Sequence, residues 1–305
     1  MEVVNDTVEK IRNLEVKGAR NAAIAAINAL QMLIQQTTAE NKSQLLTEIT
    51  QACQLLFNAR KTEPLMRNAL HYLAQQVQQS SIKNVPDLCA ILFMSADNFL
   101  RELDASRACA AEIGAQLIQN EMTIFTHCNS STAIQMLIKA KQAGKNFNVI
   151  CTETRPAFQG RITACELIEN GIDTTLIVDS ATQTFLFKAD FIIVGADVIT
   201  PKGDVVNKIG TSGLAVLAHE AHKPFYIVSE LLKFDPITLY KEFEGIEQRD
   251  PNEVWKDSPK DIDIQNPAFD VTPSRYINGL ICEKGIISPQ NALNVVQQFY
   301  PWLFK

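Results

Sequence analysis

Apolar residues recur at helical spacing over roughly the first 120 positions, then give way to short apolar runs separated by helical stretches. One face reads Val4, Val8, Ile11 and Leu14, and the next Ala23, Ile24, Ile27, Leu30 and Ile34. Leu45, Leu46, Ile49, Cys53 and Leu56 form a third face, and Leu65, Ala69, Leu70 and Leu73 a fourth. Positions three and four apart share one side of a helix, so each set predicts an amphipathic helix with a buried stripe. Residues 88–119, rich in Ala, Leu and Glu, extend the helical part. Residues 36–43 and 79–86 are the expected connections, and nothing before residue 120 reads as a central strand.

Beyond residue 120 the candidate strands are 122–126, 148–151, 174–178, 191–194, 225–228 and 276–282. Helical patterns separate them at 131–143, 159–170 and 211–221, with a last one at 289–299. This alternation predicts βαβ units and a mostly parallel sheet. The expectation is an α/β chain with an N-terminal helical domain, residues 1–120, followed by an α/β domain, residues 121–305. Two domains also suit 305 residues at about 150 per domain. Residues 233–273 are polar and rich in Pro and Asp, yet carry Phe234, Trp255 and Phe269. They read as an ordered excursion packed on the core.

Composition narrows the partners. Hydrophobic residues make up 46% and charged ones 20%, with a net charge of -6 and no basic block, so direct nucleic-acid binding is not expected. The start, MEVVNDTVEKIRN, has neither a basic n-region nor an apolar h-region. No apolar run reaches the roughly 18 residues of a membrane span, so no membrane partner is expected. Seven scattered cysteines, odd in number and without a CxxC pair, point to free thiols in a reducing cytoplasm. GxGxxG and GxxxxGK[ST] are both missing, which removes the main support for dinucleotide and P-loop readings.

Ligands of parallel sheets bind beyond the carboxyl ends of the strands. Cys128, Glu153, Arg155, Asp197 and Ser229 or Glu230 fall there. In Thr126-His127-Cys128-Asn129-Ser130-Ser131-Thr132 a strand ends in a thiol and a helix opens behind it. Backbone N–H groups at that start, with the Ser130 and Ser131 hydroxyls, suit a phosphate and would lower the pKa of Cys128. The competing reading makes Cys128 a buried filler and Ser130 to Thr132 an ordinary N-cap. In the 153–161 turn, Arg155 and Arg161 offer planar forks for phosphate oxygens, against a reading in which one simply pairs with Glu153. In 195–211, Asp197 at a strand mouth is a candidate acid/base group with Asn207 as donor and Lys208 as cation, against a capping aspartate and a solvated lysine. His127, His219 and His222 lack a convincing third ligand for a metal and read as surface or helix-end histidines.

The stretches THCNSSTAI (126–134), ETRPAFQGRITACEL (153–167), IVDSA (177–181), GADVITPKGDVVNKIGT (195–211), ELLKFDP (230–236) and NPAFDVTPSRYI (266–277) resemble the family of initiation-factor-2B alpha-related proteins and the aldose-phosphate isomerases built on the same scaffold. The resemblance implies an N-terminal helical domain followed by a Rossmann-like domain. It implies Cys128 and Asp197 as the catalytic pair, with Gln159, Asn207 and Lys208 on the sugar phosphate. It further implies phosphate contacts from Lys17-Gly18-Ala19 and Arg60. The family triplet begins with arginine, and Lys17 keeps the charge but not the two-pronged fork.

The activity implied is isomerisation of an aldose 1-phosphate, foremost ribose 1,5-bisphosphate, to the 2-ketose ribulose 1,5-bisphosphate. Neither metal nor redox cofactor is required for it. Methylthioribose 1-phosphate is the alternative substrate. The alternative class is a non-catalytic regulatory subunit with a translation-factor partner. A homo-oligomer, dimer or hexamer, and a place in nucleotide salvage complete the expectations.

Overall fold

Among the described residues five helices precede the first strand, as the apolar periodicity predicts. The computed structural model describes residues 1–16, 18–60, 62–240 and 246–305. In it α1 covers Glu2–Arg12, α2 Ala19–Gln35, α3 Lys42–Ala59, α4 Pro64–Gln79 and α5 Val85–Ala115. The stripes face inward: Val4, Val8 and Ile11 on α1, Ile27, Leu30 and Ile34 on α2, and Leu45, Ile49 and Leu56 on α3 are all buried. Local chemistry marks the starts. The Asn41 side chain accepts from Gln44 N at 3.0 Å to cap α3, and Pro64 opens α4 where an N–H would have no helical partner.

The chain forms two units, Met1–Ala105 with Tyr300–Lys305, and Ser106–Phe299. The first is helical. Its C-terminal segment returns to it through Trp302, whose ring lies 5.0 Å from Tyr72 and 6.3 Å from Phe99.

The second unit carries the sheets. Its elements are β1 Thr123–Thr126, α6 Ser131–Gln142, β2 Asn148–Thr152, α7 Gln159–Glu169, β3 Asp173–Ile177, α8 Thr182–Leu186 and β4 Phe191–Val194. They continue with β5 Val198–Ile199, β6 Val205–Lys208, α9 Thr211–Glu220, β7 Phe225–Val228, β8 Phe269–Thr272, β9 Gly279–Cys282, β10 Gly285–Ile287 and α10 Ala292–Phe299. The large sheet has the order β10-β9-β7-β4-β1-β2-β3, parallel except for the β9–β10 hairpin. Its core gathers Ile124, Val149, Phe191 and Ile193 with Met136, Leu137 and Leu167 from the helices.

Sequence order runs outward from β1 in both directions, through β2 to β3 and through β4 to β7. The crevice of such a sheet opens where the order reverses, here between the ends of β1 and β4. No helix among the described residues is long and apolar enough to cross a membrane.

Several expected elements differ in detail. Residues 274–276 form a 3₁₀ turn, so the expected strand 276–282 begins only at Gly279. A second sheet, β5-β6-β8, was not expected; it is antiparallel and β8 comes from within the 233–273 excursion. Phe234 and Phe269 are buried there, but Trp255 is half exposed and does not pack on the core as expected. Residues 241–245 of that excursion lie outside the described residues.

Candidate active site

β1 ends in Thr126, and His127 and Cys128 follow at the reversal of the sheet. Cys128 has a φ of +69°, a left-handed conformation that non-glycine residues seldom take. Two bonds hold it. Its N–H donates to Thr154 Oγ1 at 3.0 Å, and its carbonyl accepts from Thr163 Oγ1 at 2.8 Å. Thr163 in turn accepts from Asn129 Nδ2 at 3.1 Å. Ser130 then caps α6, its hydroxyl oxygen accepting from Ala133 N at 3.3 Å, while Ser131 is exposed in the first turn. Thus Ser130 does the work of an N-cap. Gly195, after β4, lies flush against it: a Cβ there would come within 2.5 Å of Ser130 Oγ.

The thiol departs from expectation. An electropositive helix start was expected to lower its pKa, but burial pushes it up to about 11. Lys208 pulls it down, and the carboxylates of Asp197 and Asp179 add to the rise. Desolvation penalises the thiolate more than one ammonium and one backbone N–H favour it. Asp197 and Lys208 are thus both within electrostatic reach of the Cys128 thiol.

The 153–161 turn is anchored by Asp179, whose two oxygens accept from Thr154 N at 2.8 Å and Arg155 N at 2.7 Å. The Arg155–Pro156 bond is cis, and Thr154 and Phe158 both have positive φ. Arg161 pairs with Glu153 at 2.8 Å and lies 3.7 Å over the Phe158 ring. It therefore follows the ion-pair reading. Arg155 donates to the Val254 carbonyl at 2.9 Å and lies 5.1 Å from the same ring. Gln159 opens α7 with its Oε1 buried and unpartnered among the described residues. Gly160 is obligatory here, since a Cβ would sit 1.7 Å from the Thr152 carbonyl oxygen.

Asp197 stands three residues past β4, half-buried, with its N–H donated to Val206 O at 2.9 Å. Asn207 and Lys208 are the last residues of β6. Asn207 Nδ2 donates to Thr211 Oγ1 at 3.0 Å, which donates to Lys208 O at 2.6 Å. The Lys208 ammonium lies 4.9 Å over the Phe269 ring, a contact with the ring's negative face rather than free solvation.

Other groups were missed. Asp270 faces Asn207 across β6 and β8 and caps α9, accepting from Gly210 N at 2.8 Å and Ser212 N at 3.0 Å. Lys233 Nζ donates to Ala196 O at 2.8 Å, beside Asp197, and pairs with Glu230 at 3.5 Å. Glu230 accepts from Thr132 on α6 at 3.1 Å, so one buried network spans both sides of the crevice. Glu230, the second residue after the apolar run 225–228, already reads in the sequence as a strand-end group, but its link to Thr132 does not. His127 is buried, not a surface or helix-end histidine. Among the described residues no three His, Cys, Asp or Glu side chains are placed to share a metal ion.

The remaining expected residues belong to the first unit. Gly18, with φ +84°, precedes α2, Ala19 is its first residue, and Arg60 pairs with buried Glu63 at 2.9 Å. Lys17 lies outside the described residues.

A profile of the initiation factor 2 subunit family matches residues 15–289. The chain is 39% identical to the ribose 1,5-bisphosphate isomerase of Methanocaldococcus jannaschii, covering 100% of this chain and 98% of that one. It is 36% identical to the methylthioribose-1-phosphate isomerase of Pelotomaculum thermopropionicum, over 93% of this chain and 82% of that one. The crystal structure of a translation initiation factor eIF-2B from Pyrococcus horikoshii OT3 superposes with a TM-score of 0.83 at 32% identity, covering 96% and 99% of the two chains.

Proposed function

The chain belongs to the initiation factor 2 subunit family, and from that membership we propose that it is a sugar-phosphate isomerase turning ribose 1,5-bisphosphate into ribulose 1,5-bisphosphate. One observation carries the chemistry: Cys128 and Asp197 come together at the β1–β4 reversal with Lys208 in reach of the thiol. Similarity over the full length to an archaeal enzyme of that name supports the substrate.

A phosphate on the anomeric oxygen prevents the sugar ring from opening spontaneously. In the reading we favour, Asp197 gives a proton to the ring oxygen while Cys128 sulfur takes the C2 hydrogen as a proton. The bond from C1 to the ring oxygen breaks as the C1–C2 double bond forms. Cys128 then returns its proton to C1, and Asp197 takes the C2 hydroxyl proton to leave the ketone. Both groups end as they began, and each step is acid–base transfer by a positioned side chain. Burial keeps the thiol protonated in the free protein, so Lys208 matters as the cation favouring the thiolate. Lys208, Asn207 and Gln159, with the start of α6, are the groups we assign to sugar and phosphate in this unit. Arg155 joins them on releasing the Val254 carbonyl.

The raised thiol favours a second assignment, with Cys128 as donor to the ring oxygen and Asp197 as base at C2. Solvent deuterium entering C1 of ribulose 1,5-bisphosphate separates the two: it persists in Asp197→Asn under the first and stops under the second.

The reading extends to a cytoplasmic homo-oligomer serving nucleotide salvage, consistent with seven unbridged cysteines. The deciding experiment assays the purified protein with ribose 1,5-bisphosphate and methylthioribose 1-phosphate beside Cys128→Ser and Asp197→Asn. Turnover of the bisphosphate, lost in both variants, is expected. Turnover of neither sugar, together with binding to a translation factor, would make the chain a regulatory subunit instead.

A further inference from the structure

His127 is buried and bonded at both ring nitrogens. Nε2 lies 2.9 Å from the carbonyl oxygen of Ile209, and Nδ1 lies 2.6 Å from Thr152 Oγ1. A carbonyl oxygen only accepts, so Nε2 carries a proton. Burial holds the imidazole pKa down, and the Lys208 charge adds to this against the Ile209 bond and Asp179. The ring is thus neutral at pH 7, Nδ1 is an acceptor, and the Thr152 hydroxyl donates to it.

That settles the direction of the neighbouring bonds. Thr152 has no second hydroxyl proton, so it accepts in its 3.3 Å contact with Thr154 Oγ1. The Thr154 hydroxyl donates towards Thr152, to Oγ1 or to the carbonyl oxygen at 3.4 Å, and its oxygen accepts from Cys128 N. The chain reads Cys128 N–H to Thr154, to Thr152, to His127, to Ile209. It ties the left-handed Cys128 at the end of β1 to the end of β2 and to the residue after Lys208. Thr152 and Thr154 are as deeply buried as the histidine, so water offers no ready substitute for a lost partner.

We propose that His127 is a positioning residue that, as the neutral Nε2–H tautomer, locks the thiol-bearing turn to the end of β6, where Lys208 stands, and so sets the distance from sulfur to ammonium. The kinetic half of this rests on the isomerase reading; the thiol half does not. A histidine that merely fills the core would leave the thiol's ionisation untouched when replaced by a ring of similar shape.

The test compares wild type, His127→Gln and His127→Phe, following Cys128 alkylation by iodoacetamide against pH at peptide level, and kcat and KM with ribose 1,5-bisphosphate. Glutamine retains a donor for Ile209; phenylalanine keeps the ring and loses both bonds. In His127→Phe, alkylation of Cys128 at pH 8.5 should slow by about threefold or more as Lys208 loosens. Its kcat should fall by roughly 10- to 100-fold, with His127→Gln restoring most of both. A folded His127→Phe with an unchanged alkylation profile overturns the proposal, whether or not wild type turns over the sugar. Should His127→Phe not fold, Thr152→Val and Thr154→Val decide. As links of one chain, each should slow alkylation about as much as the double variant; independent, additive effects reject the chain.

Discussion

Thr163 on α7 donates to the carbonyl oxygen of Cys128 at 2.8 Å and accepts from Asn129 at 3.1 Å, so one hydroxyl holds the turn that presents the thiol. The turn needs holding because Cys128, Thr154 and Phe158 all have positive φ, each at a cost of about 1 kcal/mol or more. Thr163→Val keeps the shape and removes the donor. Stability should fall by about 1–2 kcal/mol and kcat by roughly tenfold, read from urea unfolding and the isomerase assay. A weaker fold with unchanged kcat would mean that the turn is set without Thr163.

Two opposite charges act on the Cys128 thiol, and their removal should move it in opposite directions. Lys208→Met should raise its pKa and Asp197→Asn should lower it. At a fixed pH below the thiol's pKa that is about 3- to 10-fold slower or faster alkylation, the equivalent of about half to one pKa unit. Shifts of the same sign in both variants contradict the arrangement described.

Asp270 makes stability depend on pH in an unusual sense for a carboxylate. Burial raises it from 3.8 to about 6 against the two N–H bonds from Gly210 and Ser212. Between those values the folded protein keeps a proton that the unfolded chain has released. Its contribution to stability therefore falls as pH rises from about 4 to about 6 and is level above that. Asp270→Asn, which still offers one oxygen to cap α9, should remove this slope from urea midpoints measured across the range. An identical slope in the variant would assign it to other groups.

Gly195 and Gly213 form a matched pair. A methyl group at Gly195 would press on Ser130 Oγ, whereas one at Gly213, in α9, meets nothing within 4 Å. Gly195→Ala should lose about 1–3 kcal/mol through overpacking, and Gly213→Ala should gain about 0.5–1 kcal/mol through helix propensity. Thermal melts of both variants check the signs, which should be opposite.

The α/β alternation was legible because each buried parallel strand is a short apolar run and each helix an apolar stripe; 191–194 and 225–228 match to the residue. The positions of Asp197 and Cys128 just past strand ends were legible for a related reason, since each follows a short apolar run. The small sheet was not. β5 is two residues long, and β6 ends in the polar pair Asn207-Lys208, so neither has a period to read. The thiol's direction was missed because desolvation sums over distant segments, while a helix start is visible in a few adjacent letters. His127 was missed similarly: its partners Thr152 and Ile209 lie on other strands and loops, with no fixed offset along the chain.

The origin of β8 has a consequence for synthesis. A growing chain that has just completed α9 already contains Cys128, Asp197, Asn207 and Lys208. The antiparallel partner β8 of β6 and the Asp270 cap of α9 lie some fifty residues further on. Domains tend to fold as units during translation, and here the late strand delays a finished site. Until β8 has been made, Lys208 has no Phe269 ring beneath it, so the setting of that ammonium depends on a segment translated well after the strand that carries it.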